Sequence, residues 1–451
     1  MFDSQDPDLG HPDACIRLAS AVHRFKVPKV VKQVNFEKAF KTVGTHAKTK
    51  TVMKKTDDAR KKLDSALLSS NMSGERVYVE ATRYIPLIHQ VLLTCKVQPE
   101  MARLDERLVF DWKSGVEKDA KSYSSEALMY DLVMCMCCQG LGKVATATEA
   151  SLGGEFAAAS REFAAAAGVF KYLGEDQLPK WIAKGSNVDP DNLPLEATVE
   201  PANAFVELFL ANAQQMAIAT VLIKPGIPNY ALVSKLCYGV YERLENFMKL
   251  LRKAFGHMDR LDKNFFDLIA FQTTLQLSLC GYFHARSKWD VGEYGLAIAM
   301  LSEANVILQT KSKSNKIGMP EIGKGSALIP LEKDLKDLRA HYGILLKHWE
   351  GDNSSVYFDP VPPKVPEESK LTQPLMLSKP TPYKLDDVDP LPLTMPGGGG
   401  GAAAAPPTAR LERSDSDLAR ELHAQLNASD PSPPPSGGFG GGGRPTGGHG
   451  Y

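Results

Sequence analysis

The sequence has no uninterrupted run of 18 apolar residues, so nothing in it reads as a membrane span. Its opening, MFDSQDPDLGHPDAC, is acidic and has no apolar core behind a basic start, so a secretory signal is not expected. Net charge is absent too: 53 Lys and Arg balance 53 Asp and Glu, so no global basic field points to nucleic acid. Cysteine is scarce and odd in number. The seven, at 15, 95, 135, 137, 138, 237 and 280, are read as reduced thiols of a cytoplasmic protein rather than as a disulfide framework. No pair of β-branched runs joined by Asn-Gly or Asp-Gly occurs before residue 352, so sheet hairpins are not expected.

What the chain does have is unevenly spread. Residues 352–451 hold 17 of the 30 prolines and 14 of the 36 glycines, whereas Trp112, Trp181, Trp289 and Trp349 all precede them. The last hundred residues therefore read as a Pro/Gly-rich disordered tail that cannot bury enough apolar surface to offset chain entropy. Before them, apolar residues recur at helical spacing over roughly 48–69, 77–95, 122–149, 153–173, 200–223, 229–256, 264–288, 291–310 and 328–350. Asn229 after the breaker KPGIP, Asp290 and Gly351 mark helix boundaries, and Pro86 is a potential kink. The prediction is an all-α domain of long antiparallel helices, with a short extended segment within residues 1–40. The Ala-rich stretch 155–170 would let neighbouring helices approach closely, as in stacked helical hairpins.

Motifs for chemistry are weak. Cys135, Cys137 and Cys138 have no second ligand pair at zinc-site spacing and lie in the apolar run LMYDLVMCMCCQGLG, so core packing explains them. GLGKVAT at 140–146 lacks full phosphate-loop spacing and falls inside a helical stripe. No nucleophile, base and orienter set stands out, and no metal or cofactor is expected. A binding scaffold is the better reading than an enzyme.

FDWKSG (110–115), SSEALMYDLVMCMCCQGLGKVA (124–145), REFAAAAGVFKYL (161–173), LFLANAQQMAIATVL (208–222) and SKLCYGVYERLENF (234–247) follow one another in a particular order. GEYGLAIAMLSEA (292–304) and the exit segment EGDNSSVYFDPVPPKVPE (350–367) complete it. This order resembles the BRO domain of ALIX-like endosomal sorting proteins over about residues 20–367. The chain is most similar to the BROX type, in which a single such domain is followed by a short tail. The resemblance implies a curved, banana-shaped helical solenoid over 1–367 and a free tail over 368–451. It also implies a non-enzymatic adaptor, cytoplasmic and peripheral to endosomes, in ESCRT-dependent sorting to multivesicular bodies. A helical scaffold for signalling proteins is the alternative. The chain ends HGY with no nearby cysteine, so the prenylation box of animal BROX-type proteins is not expected.

The implied partner is an ESCRT-III filament subunit of the charged multivesicular body type, whose C-terminal amphipathic helix would lie in an apolar groove. By the resemblance, the groove's two aliphatic positions fall on Leu232 and Leu236, while Ala217 and Thr220 stand where ALIX-like members carry an aromatic and a basic residue. The acidic position near that groove aligns with Gly153. Read without the resemblance, a Leu pair at i, i+4 is ordinary core. Residues 17–62 hold 14 Lys and Arg against Glu37, Asp57 and Asp58, and the family's basic convex face places Lys54, Lys55, Lys61 and Lys62 as contacts to anionic membrane. A solvated helix face is the plainer alternative. Tyr357 matches a family tyrosine open to phosphorylation, or is an aromatic plug on the last helix. No nucleic-acid partner is expected.

Within the tail, ARLERSDSDLARELHAQLN (409–427) puts Leu411, Leu418, Leu422 and Leu426 on one helical stripe with Ser414 as cap. Its Asp-x-Asp-Leu-Ala core resembles an inverted single-helix ubiquitin-interacting motif, with Leu418, Ala419 and Leu422 as contacts to ubiquitin or ubiquitinated cargo. A plain docking helix is the competing reading. Nineteen residues is near the length at which isolated helices are marginal, so the peptide should be mostly unfolded alone. A ubiquitin complex should have a dissociation constant of about 0.1–1 mM and act through avidity. Ala419→Trp should abolish the amide shifts of labelled ubiquitin; equal shifts for both peptides, or none, remove the ubiquitin reading.

Overall fold

The computed structural model describes residues 11–69, 72–99, 104–119, 121–182, 188–253, 258–311, 318–371 and 373–394. The candidate helix at 409–427, with Leu418, Ala419 and Leu422, lies outside the described residues. The chain divides into two units at Pro396/Gly397, and all that follows concerns the first.

Helix α1 (Asp13–Ala19) and strand β1 (Lys29–Lys32) precede α2 (Phe36–Ala39), α3 (Ala47–Leu68) and α4 (Gly74–Val97). Strands β2 (Phe110–Lys113) and β3 (Ser122–Ser125) lead into α5 (Leu128–Leu152), α6 (Phe156–Tyr172) and α7 (Leu178–Trp181). Then come α8 (Val199–Leu222), α9 (Tyr230–Lys253), α10 (Lys263–Asp290), α11 (Tyr294–Gln309) and α12 (Glu332–Asp352). The long helices pack as a layer in chain order, α3 on α4, α4 on α5, α5 on α6, α6 on α8, then α9, α10, α11 and α12. The domain is mostly helical, as the 3.6-residue periodicity requires.

Three departures from the sequence reading have clear causes. First, FDWK and SYSS form an antiparallel sheet with β1 in the order β1-β2-β3. Only β2 and β3 are sequence neighbours, and the connection between them is no two-residue hairpin, so turn chemistry gives no signal. Second, Asp290 ends α10 and does not cap α11. The cap comes from afar, Asp359 Oδ2 accepting the Gly295 N–H at 2.7 Å. Third, α5 and α8 are apolar and long enough to cross a membrane by composition, yet 78% and 72% of those stretches are buried between neighbouring helices. Middle helices of a layer need apolar residues all round.

Small residues set the spacing. A Cβ on Gly74 would meet the Thr146 nitrogen at 2.5 Å, and one on Gly140 would meet the Phe170 ring at 2.6 Å. The GLGK glycines therefore serve helix packing inside α5, and the Ala-rich α6 approaches α8 closely enough for Ser160 Oγ to reach Ala213 O at 2.8 Å. Pro86 sits inside an α4 assigned as one helix from Gly74 to Val97. Buried glutamines satisfy the end of α1: Gln215 donates to Ala19 O, and Gln272 to Leu18 O and Ala21 O.

After α12 the chain does not leave the domain. It turns at Asn353–Tyr357 and runs back across the layer as an extended strap. Val365 N–H bonds Glu303 on α11, Leu375 N–H bonds Lys235 O on α9, Thr381 N–H bonds Ala164 O on α6, and Gln90 and Gln98 of α4 donate to Asp389 O and Leu391 O. Thr394 finishes on Val43 O. The expected tail start at 352, and domain end at 367, are thus corrected: composition sees prolines, but Val365, Leu385, Leu391 and Leu393 are buried. An extended segment needs no partner strand of its own when helix side chains and carbonyls such as Lys235 O and Ala164 O supply its hydrogen bonds. Leu391→Ala should cost about 2–5 kcal/mol in a urea unfolding curve, as buried leucines do, whereas a leucine in a free tail would cost nothing.

Candidate functional site

The strap crosses the layer on one face, and that placement defines the site. On α9 it meets Lys235 O and Gly239, where a Cβ would stand 2.4 Å from Leu375 O, and it reaches Arg243, whose Nη2 donates to Ser378 O. Leu232 precedes Gly239 by seven residues, two helical turns, and so faces the same way. On α8 the strap bonds Gln214, one turn before Ala217. Because Ser160 on α6 pairs with Ala213 and Gly174 abuts Asn203, α6 runs antiparallel to α8. The α5–α6 and α8–α9 turns therefore share one end of the layer.

At that end a row of aliphatic side chains stands in solvent: Leu152 is 77% exposed, Ile223 57%, Ile227 71% and Leu232 39%. Isolated exposed leucines need no explanation, but four at one end of the layer are more than scattered exposure accounts for. Asn229 fixes the start of α9, its Oδ1 accepting the Leu232 N–H at 3.0 Å. Between Tyr230 and the strap crossing at Gly239 lie nine helical steps, about 13 Å, and an α-helix with side chains is about 10–12 Å across. The strip of α9 left open between its start and the strap is thus about one helix wide.

The sequence-derived residues separate here. Leu232, Ala217 and Thr220 lie on or beside the strip, the latter two half-buried, with the Thr220 hydroxyl turned back to Met216 O. Leu236 does not line it: at 1% exposure its side chain is core, and Gln214 Nε2 bonds its carbonyl at 2.7 Å. The i, i+4 pair splits because position 236 rotates toward α8 while 232 stays outside. Gly153 is exposed at the α5–α6 turn and brings no charge. Leu152, Ile223 and Ile227 escape periodicity analysis because they sit at helix ends, where no stripe continues; the signal for Ile227 is an isoleucine inside the breaker KPGIP.

The other candidates are also placed. Lys54, Lys55, Lys61 and Lys62 are exposed on α3 with Asp58 exposed among them. Arg60 turns inward to Asp131 and leaves the basic surface, while Arg17 stays exposed but is paired with Asp334. The Tyr357 ring stacks on Tyr294 at 3.6 Å with its edge toward Trp289, as a plug over the end of α12 would, and is 41% exposed. Cys135, Cys137 and Cys138 are fully buried, and burial pushes each thiol well above its ordinary pKa. A separate cleft lies between α9, α10 and α11, lined by Tyr238, Tyr241, His284, Met300 and Leu371.

One layer of antiparallel helices, with exposed aliphatic side chains at one end, defines the architecture. The chain belongs to the BRO1-like domain family, whose model matches residues 35–394 and so ends where the strap ends. In solved structures it resembles the ALIX BRO1 domain in a CHMP4C complex, at 16% identity and a TM-score of 0.60 over 80% of this chain and 96% of that one. It also resembles the structure titled as the basis for endosomal targeting by the Bro1 domain, at 14% identity and TM-score 0.62 over 80% and 93%. ALIX in complex with the SIVmac239 PYKEVTEDL late domain matches at 16% and 0.62, over 81% of this chain and 49% of that one. No curated protein sequence matches. The BRO1-like family is generally one of non-catalytic adaptors.

Placement predicts opposite outcomes for the leucine pair. Leu236→Asp should unfold the domain, because a carboxylate would be buried without a partner. Leu232→Asp should leave circular dichroism and melting nearly unchanged. The reverse pattern would put Leu232 in the core.

Proposed function

We propose that this chain is a non-catalytic adaptor of ESCRT-dependent endosomal sorting whose open strip takes the C-terminal amphipathic helix of an ESCRT-III subunit. The row Leu152, Ile223, Ile227 and Leu232 carries the reading, since it offers aliphatic seats to a helix presenting anchors at i, i+3, i+4 and i+7. That a similar solved domain is titled as a complex with CHMP4C supports the choice of partner. Ala217 and Thr220 make the floor beside α8 small, so a bulky ligand anchor fits there better than a small one. The BROX-type assignment and the endosomal location belong to the same proposal.

Titration of the full chain with the CHMP4C terminal-helix peptide, and with those of the other ESCRT-III subunits, tests it. At least one should bind at about 10 µM, on the order of −7 kcal/mol, and Leu232→Asp should weaken it some thirtyfold, the worth of one buried leucine. Failure of every helix would leave the signalling-scaffold alternative in possession.

Membrane contact is the second part of the proposal, carried by the exposed lysines of α3. Vesicle binding should be weak, need anionic lipid and vanish at high salt, since each cation near such a surface contributes on the order of 1 kcal/mol and is screened. Charge reversal at Lys54, Lys55, Lys61 and Lys62 should reduce sedimentation with vesicles. Binding to neutral vesicles that ignores salt would contradict it.

A further inference from the structure

We infer that strap residues Leu375–Leu377 form one wall of the helix-binding strip and that Gln214 is the positioning residue that holds this wall; the inference rests on the helix-docking reading above. Gln214 is fully buried on α8, and its amide is spent on the strap and on α9. Nε2 donates to Leu236 O at 2.7 Å and to Leu375 O at 2.8 Å, while Oε1 accepts the Leu377 N–H at 3.0 Å. Lys235 O takes the Leu375 N–H at 3.1 Å, and Arg243, paired with Glu207 at 3.0 Å, donates to Ser378 O at 2.8 Å. Glycine at 239 is what lets the strap lie this low, since a Cβ there would collide with Leu375 O and with Gln214 itself.

A backbone pinned at these points is a fixed feature of the surface. Its side chains are apolar: Leu375 and Met376 are half-buried, and Leu377 remains 54% exposed although its own N–H is bonded. An exposed leucine on a held backbone, one helical turn from Ala217, loses little conformational freedom when a ligand covers it, which favours its use as a contact. The wall also dictates direction. A ligand helix parallel to α9 would strike the strap within about three turns of the helix end, whereas one parallel to the strap is unobstructed.

The experiment is calorimetric titration of the full chain with the CHMP4C terminal-helix peptide, joined to hydrogen exchange at residues 375–378. Leu377→Asp, an exposed substitution that leaves the fold intact, should weaken binding about tenfold. Gly239→Ala, favourable to the helix itself, should lift the strap, speed exchange at Leu375 and Leu377, and weaken binding several-fold. Lys379→Ala, on the same strap, should change neither. If Leu377→Asp and Gly239→Ala bind as the wild type while Leu232→Asp does not, the wall is wrong and the docking strip stands. Tighter binding by Gly239→Ala would make the strap a competitor of the ligand and overturn the wall equally. If Leu232→Asp binds normally, or the wild type binds none of the helices, the docking reading falls and takes this inference with it.

Discussion

The Asp131 carboxylate is the point from which the N-terminal half of the layer is organised. It lies on α5 with no solvent exposure and accepts from Arg60 of α3, Tyr84 of α4 at 2.7 Å and Trp112 of β2 at 2.8 Å. Arg60 is equally buried and donates from Nη1 to Lys32 O on β1. Three helices and the sheet are thereby fixed in one relative register. Removing either partner would strand a buried charge, a loss of about 3–5 kcal/mol, although the pair itself yields little net stability over an apolar core. Its effect is specification: an aliphatic cluster would tolerate a slip of α3 along α4, whereas this geometry does not.

A second buried carboxylate repeats the device further along. Glu196, whose pKa burial raises, accepts from Ser114 Oγ and Gly115 N–H, and so clips the loop before α8 to the end of β2. Glu117 bonds Leu195 N–H and Tyr123 and pairs with Arg260 beyond α9. Buried acids thus hold the sheet to segments far apart in the chain. Around α8 aromatic packing takes this part, Phe25, Phe170, Phe205, Phe209 and Phe265 meeting mostly ring to edge.

Helices in a layer touch only their neighbours, so each interface could flex on its own. The strap opposes this, since one extended segment bonds successively to α11, α9, α8, α6 and α4. It does so with backbone groups and helix-borne glutamines, Gln90, Gln98 and Gln214, rather than by adding strands. The same segment bounds the apolar strip, which joins stability to binding geometry: what braces the layer also sets how much of its face a partner can occupy.

Periodicity determined most long helices to within about four residues, because an amphipathic or wholly apolar helix writes its burial into its spacing, but the stretch expected from 122 begins as strand β3 and turns helical only at Leu128. The composition also located the packed cysteines, and the resemblance located Leu232. Three matters were decided only by tertiary structure. Leu236 is core although it shares a stripe with Leu232, because the rotation of α9 against α8 is set by packing and not by the pattern. Residues 359–371 and 373–394 pack on the domain although their prolines read as linker, because their partners are side chains and carbonyls of distant helices. The exposed row at Leu152, Ile223 and Ile227 exists because antiparallel α6 and α8 bring two turns, some 70 positions apart in the chain, to one edge. Local sequence encodes which faces are apolar; only the three-dimensional packing of the helices decides which of those faces remain uncovered.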